Sequence, residues 1–237
     1  MSSQDPVTPV PEAKPEDENK KKRKVLPVFL SILSVLLVAG GITFGAMSLW
    51  PGHTPAGATA LIDMQGNVVV PDEPAATSSA FMEQAQMVTD DGGEGFVVPS
   101  LNLDVPLGSI NEVEGVMNPP NFTSAFVIRN RGASLDNADQ GTVYIVTHAI
   151  YQGHAPGNYL QADGQVSLKP GDIIKADGKE YSFVEAQIIA KEGQGGLADH
   201  AELWTDDPGR LIIVTCVVRP EGGIAVNNLV IIAQLVA

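Results

Sequence analysis

The chain has 237 residues, with 14 Lys and Arg against 28 Asp and Glu and a formal net charge of −14. Residues 1–24 hold six of the basic and five of the acidic side chains, which leaves 8 basic and 23 acidic residues in the rest of the chain. Nucleic-acid binding requires clustered Lys and Arg that neutralise phosphates, so this balance argues against a nucleic-acid partner.

The segment from Val25 to Trp50 contains no charged residue and is mostly apolar. About 20 apolar residues are enough for a helix to span a membrane, and the basic cluster Lys20–Lys24 just before it should stay in the cytoplasm. We therefore expect residues 1–24 to be a disordered cytoplasmic tail and residues 25–50 to be a transmembrane signal anchor in the cell membrane. Everything after the anchor is then extracellular. A cleaved signal peptide is the alternative, but its apolar region usually has only about 7–15 residues.

Residues 51–95 are rich in Pro, Gly, Ala, Ser and Thr, a composition typical of an extracellular linker. Within this linker we expect a short helix over Ser79–Val88, with Ser78 or Ser79 as its N-cap. From Phe96 onward the pattern changes to short β-rich runs separated by turn residues. Residues 96–237 are therefore expected to form one folded domain.

Eight runs in this domain have the composition and length of strands. They are Phe96–Val98, Ser100–Val105, Ala125–Arg129, Thr142–Thr147, Ile173–Ala176, Glu180–Ala190, Leu211–Val217 and Asn228–Val236. Asp177-Gly178, between two of them, is a strong hairpin signal. Many short strands with few amphipathic helical stretches indicate a mainly β fold, either an antiparallel barrel or a sandwich.

Cys216 is the only cysteine of the chain and follows the apolar run Leu211–Thr215. An exported protein usually holds its cysteines in disulfides, so a single cysteine is either a reactive thiol or a small buried hydrophobe. A reactive thiol needs a partner that favours the thiolate, and His148 follows the strand-like run Thr142–Thr147. Because both residues end strands, a barrel can bring their side chains together on one face.

The other histidines are weaker candidates. His53 lies in the linker, while His154 and His200 do not end a strand. No CxxC or HxxxH pattern is present, so we expect no metal site and no cofactor. An acyl-transfer enzyme also needs a donor for the oxyanion, and Arg219 is the only basic residue after Cys216; its alternative role is an ion pair with Glu221.

Taken together, the anchor, the β-rich domain, the histidine and the Thr-Cys strand end resemble the sortase family. Sortases are membrane-anchored cysteine transpeptidases of Gram-positive cell surfaces, built on a closed eight-stranded β-barrel. The resemblance extends from Phe96 to Val236. Its matching segments, in order, are FVVPSLNLDVPL (96–107), TVYIVTH (142–148), GNYL (157–160), LKPGDI (168–173), the strand ending in Thr215-Cys216, and NLVI (228–231).

The resemblance to a lid-free, monofunctional sortase implies a function and roles for three residues. Cys216 would attack a C-terminal sorting signal of the Leu-Pro-x-Thr-Gly kind in a surface protein. His148 would act as acid and base, and Arg219 would steady the oxyanion. The acyl group would pass to an amine acceptor, such as a cell-wall peptide precursor or a pilin lysine. Thr147 and Thr215 are expected to make local hydrogen bonds.

Two positions depart from the family pattern. Thr147 precedes His148, where the family usually has glycine, and no arginine occurs near Ala225–Asn227, where the family arginine normally lies. Arg219 would have to reach in from its loop, or Asn227 or Asn228 would supply the donor. Two alternatives therefore stay open: a pilin-polymerising sortase, and an inactive surface-binding module with the same fold.

Overall fold

The computed structural model describes residues 60–70, 83, 85, 94–193 and 195–236, all within a compact unit that spans Thr59–Ala237. The expected tail and transmembrane anchor lie outside the described residues, as does most of the expected linker. Among the residues that are described, no helix is long and apolar enough to cross a membrane. Within the expected helix Ser79–Val88, the two described residues, Glu83 and Ala85, are helical.

Besides the helical residues Glu83 and Ala85, the described residues form eleven strands, one short α-helix and four 3₁₀ turns. The strands are β1 (Phe96–Val98), β2 (Leu103–Val105), β3 (Leu107–Ile110), β4 (Ala125–Ile128), β5 (Val143–Val146), β6 (Gln161–Ala162), β7 (Gln165–Val166), β8 (Ile173–Ala176), β9 (Lys179–Ala190), β10 (Arg210–Cys216) and β11 (Asn227–Leu235). The helix α1 is Pro156–Tyr159, and the 3₁₀ turns are Pro99–Leu101, Leu135–Asn137, Leu197–Asp199 and Ala201–Trp204.

Nine strands form one sheet in the order β2-β1-β8-β9-β11-β10-β5-β4-β3, while β6 and β7 form a separate hairpin. The pairs β5–β10 and β3–β4 are parallel, and the other pairs are antiparallel. The parallel pair β5–β10 is central to the site, because it joins the predicted histidine strand to the predicted cysteine strand.

The large sheet curls into a nearly closed barrel. Its edge strands β2 and β3 follow each other in the chain, with only Pro106 between them. Proline has no N–H to donate to a strand ladder, and the Pro106 carbonyl accepts a hydrogen bond from Ala125 at the start of β4. Among the described strands, β2 pairs only with β1 and β3 only with β4. The expected closed eight-stranded barrel is corrected to a nine-stranded, nearly closed sheet.

The central strands are buried on both faces. Alternate side chains of a strand point to opposite sides of the sheet, and here each side is covered by an apolar cluster. In β10, Leu211 and Ile213 pack into the inner apolar cluster of the barrel. Ile212 and Val214 belong to a second apolar cluster on the outer face, which includes Leu203 and, at its margin, Trp204. This burial explains why β10 reads as a continuous apolar run rather than as an alternating one.

Most of the predicted strands agree with the structure to within one or two residues, and the Asp177-Gly178 hairpin is present between β8 and β9 with positive φ at both residues. The strand expected over Ser100–Val105 is wrong in its first half, because Pro99–Leu101 forms a 3₁₀ turn that ends at Asn102 in the left-handed region. The sequence interpretation also missed β3, β6 and β7, which have only two to four residues each.

Candidate active site

His148 lies two residues after β5, Cys216 is the last residue of β10, and Asn228 is near the start of β11; the three form a row of cavity-lining residues on neighbouring strands. In the parallel pair β5–β10, Val146 lies opposite Val214, and the N–H of Thr147 donates to the Val214 carbonyl at 3.2 Å. His148 and Cys216 each lie two residues beyond this pair, and both line the same cavity. Neighbouring strands are about 4.8 Å apart, so the two predicted residues are brought together. On the other side of Cys216, Asn228 is its direct partner in the antiparallel pair β10–β11.

This row lines a cavity of about 660 Å³ on the outer face of the sheet. A volume of this size suits a peptide segment or another small ligand. The walls come from the β3–β4 connection, the β9–β10 connection and the residues after His148. The lining includes Met117, Pro119, Phe122, Ile150, Leu197 and Trp204, and it is therefore largely apolar.

The imidazole of His148 is held on two sides. Its Nε2 lies 2.8 Å from the carbonyl oxygen of Pro119, and its ring stacks on Phe122 with centroids 4.3 Å apart and planes 20° apart. A carbonyl oxygen only accepts hydrogen bonds, so Nε2 must carry a hydrogen in this contact. In the neutral ring the second nitrogen, Nδ1, is then the atom that can accept a proton.

The backbone around Cys216 is fixed by the buried side chain of Gln161. Its Nε2 donates to the carbonyl of Cys216 at 2.8 Å and to the carbonyl of Gly157 at 3.2 Å. Its Oε1 accepts from the N–H of Val218 at 2.9 Å. One carboxamide thus replaces the ladder partners that the chain loses where β10 ends, and it holds the cysteine in place.

Gly157 in α1 packs directly behind the histidine and cysteine strands. Its N–H donates to the His148 carbonyl at 2.8 Å. A Cβ added at this glycine would lie 2.1 Å from Oγ1 of Thr215 and 2.6 Å from the carbonyl oxygen of His148. Both distances are too short for ordinary atomic contact, so the absence of a side chain is a requirement of the packing.

The two threonines expected to make local hydrogen bonds behave differently. Oγ1 of Thr147 donates to the carbonyl of Ser124 at 3.2 Å. Thr215 is 2% exposed, and its Oγ1 has no hydrogen-bond partner among the described residues. Thr147 therefore makes the expected contact, whereas Thr215 does not.

Arg219 lies in the loop after β10 and does not line the cavity formed by the described residues. Its guanidinium pairs with the Glu221 carboxylate, with Nε at 2.8 Å from Oε1, and Nη1 lies 3.5 Å from the Ile224 carbonyl. The hydrogen bond from Arg219 lowers the pKa of Glu221. The structure therefore shows Arg219 in the ion pair that the sequence suggested as its alternative use, and its catalytic role stays a prediction.

The other predicted histidines are placed away from the cavity lining. His200 contacts Glu202 through Nδ1 at 2.8 Å on the surface, and His154 bonds through its backbone to Asp63 and Met64. His53 lies outside the described residues. Among the residues that are described, no three His, Cys, Asp or Glu side chains are grouped so that they could hold a metal ion.

At the far end of the cavity, Arg131 joins two walls. Its Nη2 donates to Oε1 of Glu112 at 2.8 Å, and its guanidinium lies 4.6 Å from the centroid of the Trp204 ring. The indole stacks on Tyr144 at 5.6 Å, and the Tyr144 hydroxyl donates to the carbonyl of Leu203 at 2.8 Å. These contacts hold the β9–β10 connection against the β3–β4 connection.

A strap formed by residues 60–70 borders the histidine end of the cavity, where Leu61 is one of the lining residues. Asp63 anchors the strap: its carboxylate accepts hydrogen bonds from the backbone of Gln65, Asn67 and His154. Burial alone would raise the pKa of Asp63, but these hydrogen bonds and that of the Asn67 side chain together lower it. The sequence interpretation treated this segment as linker and missed the strap.

Three site residues were not predicted from the sequence or were predicted only as one of two alternatives: Gln161, Gly157 and Asn228. Gln161 and Gly157 act through contacts with strands far away in the chain, which no local pattern reveals. Asn228 could be singled out only through its register opposite Cys216.

No protein-family model matches the chain, and no curated protein matches it in sequence. The chain is similar in structure to sortase A of Listeria monocytogenes, with a TM-score of 0.45 and 16% identity over 62% of this chain and 89% of that one. It is also similar to sortase A of Corynebacterium diphtheriae (TM-score 0.44, 12% identity, 75% of each chain) and to sortase C-1 of Actinomyces oris (0.41, 13%, 77% and 92%).

Proposed function

We propose that the chain is a sortase-like cysteine transpeptidase that uses Cys216 as its nucleophile and His148 as its acid and base. The observation that supports this proposal is that both residues line one cavity of about 660 Å³, at the same end of the parallel strands β5 and β10. A thiol beside an imidazole is the arrangement that nucleophilic catalysis by cysteine requires.

In the first half of the reaction, the thiol of Cys216 gives its proton to His148, and the resulting thiolate attacks the carbonyl carbon of the scissile peptide bond in a sorting signal. The carbonyl π electrons move to oxygen and form an oxyanion. When this intermediate collapses, the C–N bond breaks and the leaving amine takes a proton from the His148 imidazolium. The product is a thioester between Cys216 and the carboxyl-terminal residue of the retained peptide.

In the second half, an amine acceptor attacks the thioester and gives its proton to His148, and the thiolate departs. Because Pro119 keeps a hydrogen on Nε2, all of these proton transfers fall to Nδ1. The substrates under this proposal are surface proteins that carry a Leu-Pro-x-Thr-Gly type signal, and the acceptor is a cell-wall peptide precursor or a pilin lysine. Residues 25–50 would anchor the enzyme in the cell membrane with the domain outside.

The proposal is tested by incubating the folded domain with a sorting peptide and a primary amine, followed by chromatography of the products. We expect cleavage and an amine-linked product with the wild-type protein, and neither with Cys216→Ala. Cleavage that survives Cys216→Ala would rule out the cysteine mechanism. Binding of the peptide with no cleavage would instead support the inactive surface-binding module.

A further inference from the structure

Asn228 is the residue that lies directly beside the proposed nucleophile, on the side away from His148. Paired residues of an antiparallel ladder have Cβ atoms about 4.5–5.5 Å apart and point to the same face. Cys216 and Asn228 form such a pair, and both line the cavity. The carboxamide of Asn228 is therefore within reach of a carbonyl group bonded to the Cys216 sulfur.

The carboxamide of Asn228 is open to the cavity. Asn228 is 9% exposed and is one of the residues that line the cavity. The NH₂ group of a carboxamide has two hydrogens to donate. A substrate oxygen that arrives in the cavity during the reaction can accept one of them.

The other candidate donors are less well placed. Asn227 is the preceding residue of β11 and points to the opposite face of the sheet, while Arg219 is paired with Glu221 in its loop. Arg131 is held by Glu112 and by Trp204, whose ring stacks on Tyr144. Tyr144 pairs with Ile212 of β10, which is four residues, or about 13 Å along the strand, before Cys216. Arg131 is therefore bound at a level of the sheet well away from the cysteine.

We propose that Nδ2 of Asn228 donates a hydrogen bond to the oxyanion that forms when Cys216 attacks the substrate carbonyl. This inference rests on the proposed transpeptidase function. Under this inference, the group that stabilises the oxyanion is a neutral carboxamide and not a cationic side chain. Such a donor is strongest in the tetrahedral intermediate, where the negative charge is on oxygen, so it lowers the barrier to acylation.

Two reactions of the same thiol separate this role from a structural one. Alkylation of Cys216 by iodoacetamide displaces iodide and forms no oxyanion, whereas acylation by a peptide thioester passes through one. Both rates are measured for the wild type, Asn228→Ala and Asn228→Leu; leucine keeps the approximate volume of asparagine but has no donor. Asn227→Ala is the matched control, since it removes the same side chain from the other face.

We expect both Asn228 variants to be acylated about 10²–10³-fold more slowly while their alkylation rates stay within about threefold of the wild-type rate. Asn227→Ala should match the wild type in both reactions. Acylation of Asn228→Leu at the wild-type rate would overturn the inference, and so would a parallel loss of alkylation. If the wild-type protein is alkylated but never acylated, the proposed function itself fails.

Thermal unfolding provides an independent readout. Because leucine has nearly the volume of asparagine and Asn228 is 9% exposed, Asn228→Leu exchanges a cavity-lining carboxamide for an apolar side chain without leaving a void. We expect its midpoint of unfolding to equal or exceed that of the wild type. If Asn228→Leu unfolds at a lower temperature than the wild type but is acylated at the normal rate, Asn228 has a structural role.

Discussion

The side chain of Gln161 donates a hydrogen bond of 2.8 Å to the backbone carbonyl of Cys216. Its oxygen accepts from Val218 on the other side of the cysteine, so the carboxamide spans the end of β10. Removing one partner from a buried hydrogen bond leaves the other unsatisfied, at a cost of about 1–3 kcal/mol. The position of the nucleophile therefore depends on a residue that does not touch the substrate.

We expect Gln161→Met, which keeps the length of the side chain but none of its hydrogen bonds, to lower kcat more than it raises KM. The free energy of unfolding should fall by about 1–3 kcal/mol, measured by denaturant titration. The exposed Gln165 on β7 supplies the control: Gln165→Met should behave as the wild type. Unchanged kcat in Gln161→Met would show that the strand end holds its position unaided.

A second prediction concerns Gly157, which packs behind the same two strands. An added Cβ must displace Oγ1 of Thr215 or the backbone of His148, and overpacking of this kind typically costs about 1–3 kcal/mol. We expect Gly157→Ala to lower both stability and the acylation rate. Thr215→Ala added to Gly157→Ala should restore part of the stability, because one of the two clashes disappears. A stable, fully active Gly157→Ala would contradict the packing argument.

The third prediction separates Arg219 from Asn228. If Asn228 supplies the oxyanion donor, Arg219→Ala only breaks an exposed ion pair with Glu221, and such pairs contribute about 0–1 kcal/mol to stability. We therefore expect turnover within about threefold of the wild type. If instead turnover falls about 10²–10³-fold, the role predicted for Arg219 from the sequence is correct, and the arginine must exchange Glu221 for the substrate.

Asp63 makes the strap of residues 60–70 sensitive to acid. The folded-state pKa of its carboxyl is lowered, so the stability that Asp63 contributes is present above its unfolded pKa of about 3.9 and is lost as the pH falls through the folded value. We expect Asp63→Asn to melt below the wild type at pH 7, with a gap that closes as the pH falls below about 4.

The exposed Asp136 serves as the control for this pH series. Asp136→Asn should follow the wild-type melting temperature throughout the titration. The contrary result is a difference in melting temperature between Asp63→Asn and the wild type that stays constant from pH 7 to pH 3. That result would show that hydrogen bonding by the ionised carboxylate does not hold the strap.

The sequence predicted the main strands because apolar β-branched runs and turn residues are local signals. The Asp177-Gly178 hairpin is the clearest case, since Ala176 and Lys179 pair directly across it. From their positions at strand ends it also predicted that His148 and Cys216 meet on one face, and both residues line the same cavity. It could not predict that β5 and β10 pair in parallel, which brings the ends of these two strands to the same edge.

The remaining site features depend on contacts between distant parts of the chain. Gln161 reaches Cys216 across 55 positions, and the strap reaches His154 from Asp63 across 91. Neither contact leaves a local pattern, because a lone Gln or Asp in a polar segment has no periodicity that marks its partner. The choice between Asn227 and Asn228 likewise required the register of β11, because a shift of one residue exchanges the two faces.

The central claim, that Cys216 forms an acyl-enzyme with the help of His148, is tested most directly by mass spectrometry of the protein mixed with sorting peptides. We expect a thioester adduct on Cys216 in the wild type, none in Cys216→Ala and very little in His148→Ala. His154→Ala and His200→Ala should keep the adduct, since neither histidine lines the cavity. The claim would be contradicted if no peptide of a Leu-Pro-x-Thr-Gly type panel formed an adduct with the wild type. It would also be contradicted if His148→Ala were fully acylated while His154→Ala lost the adduct.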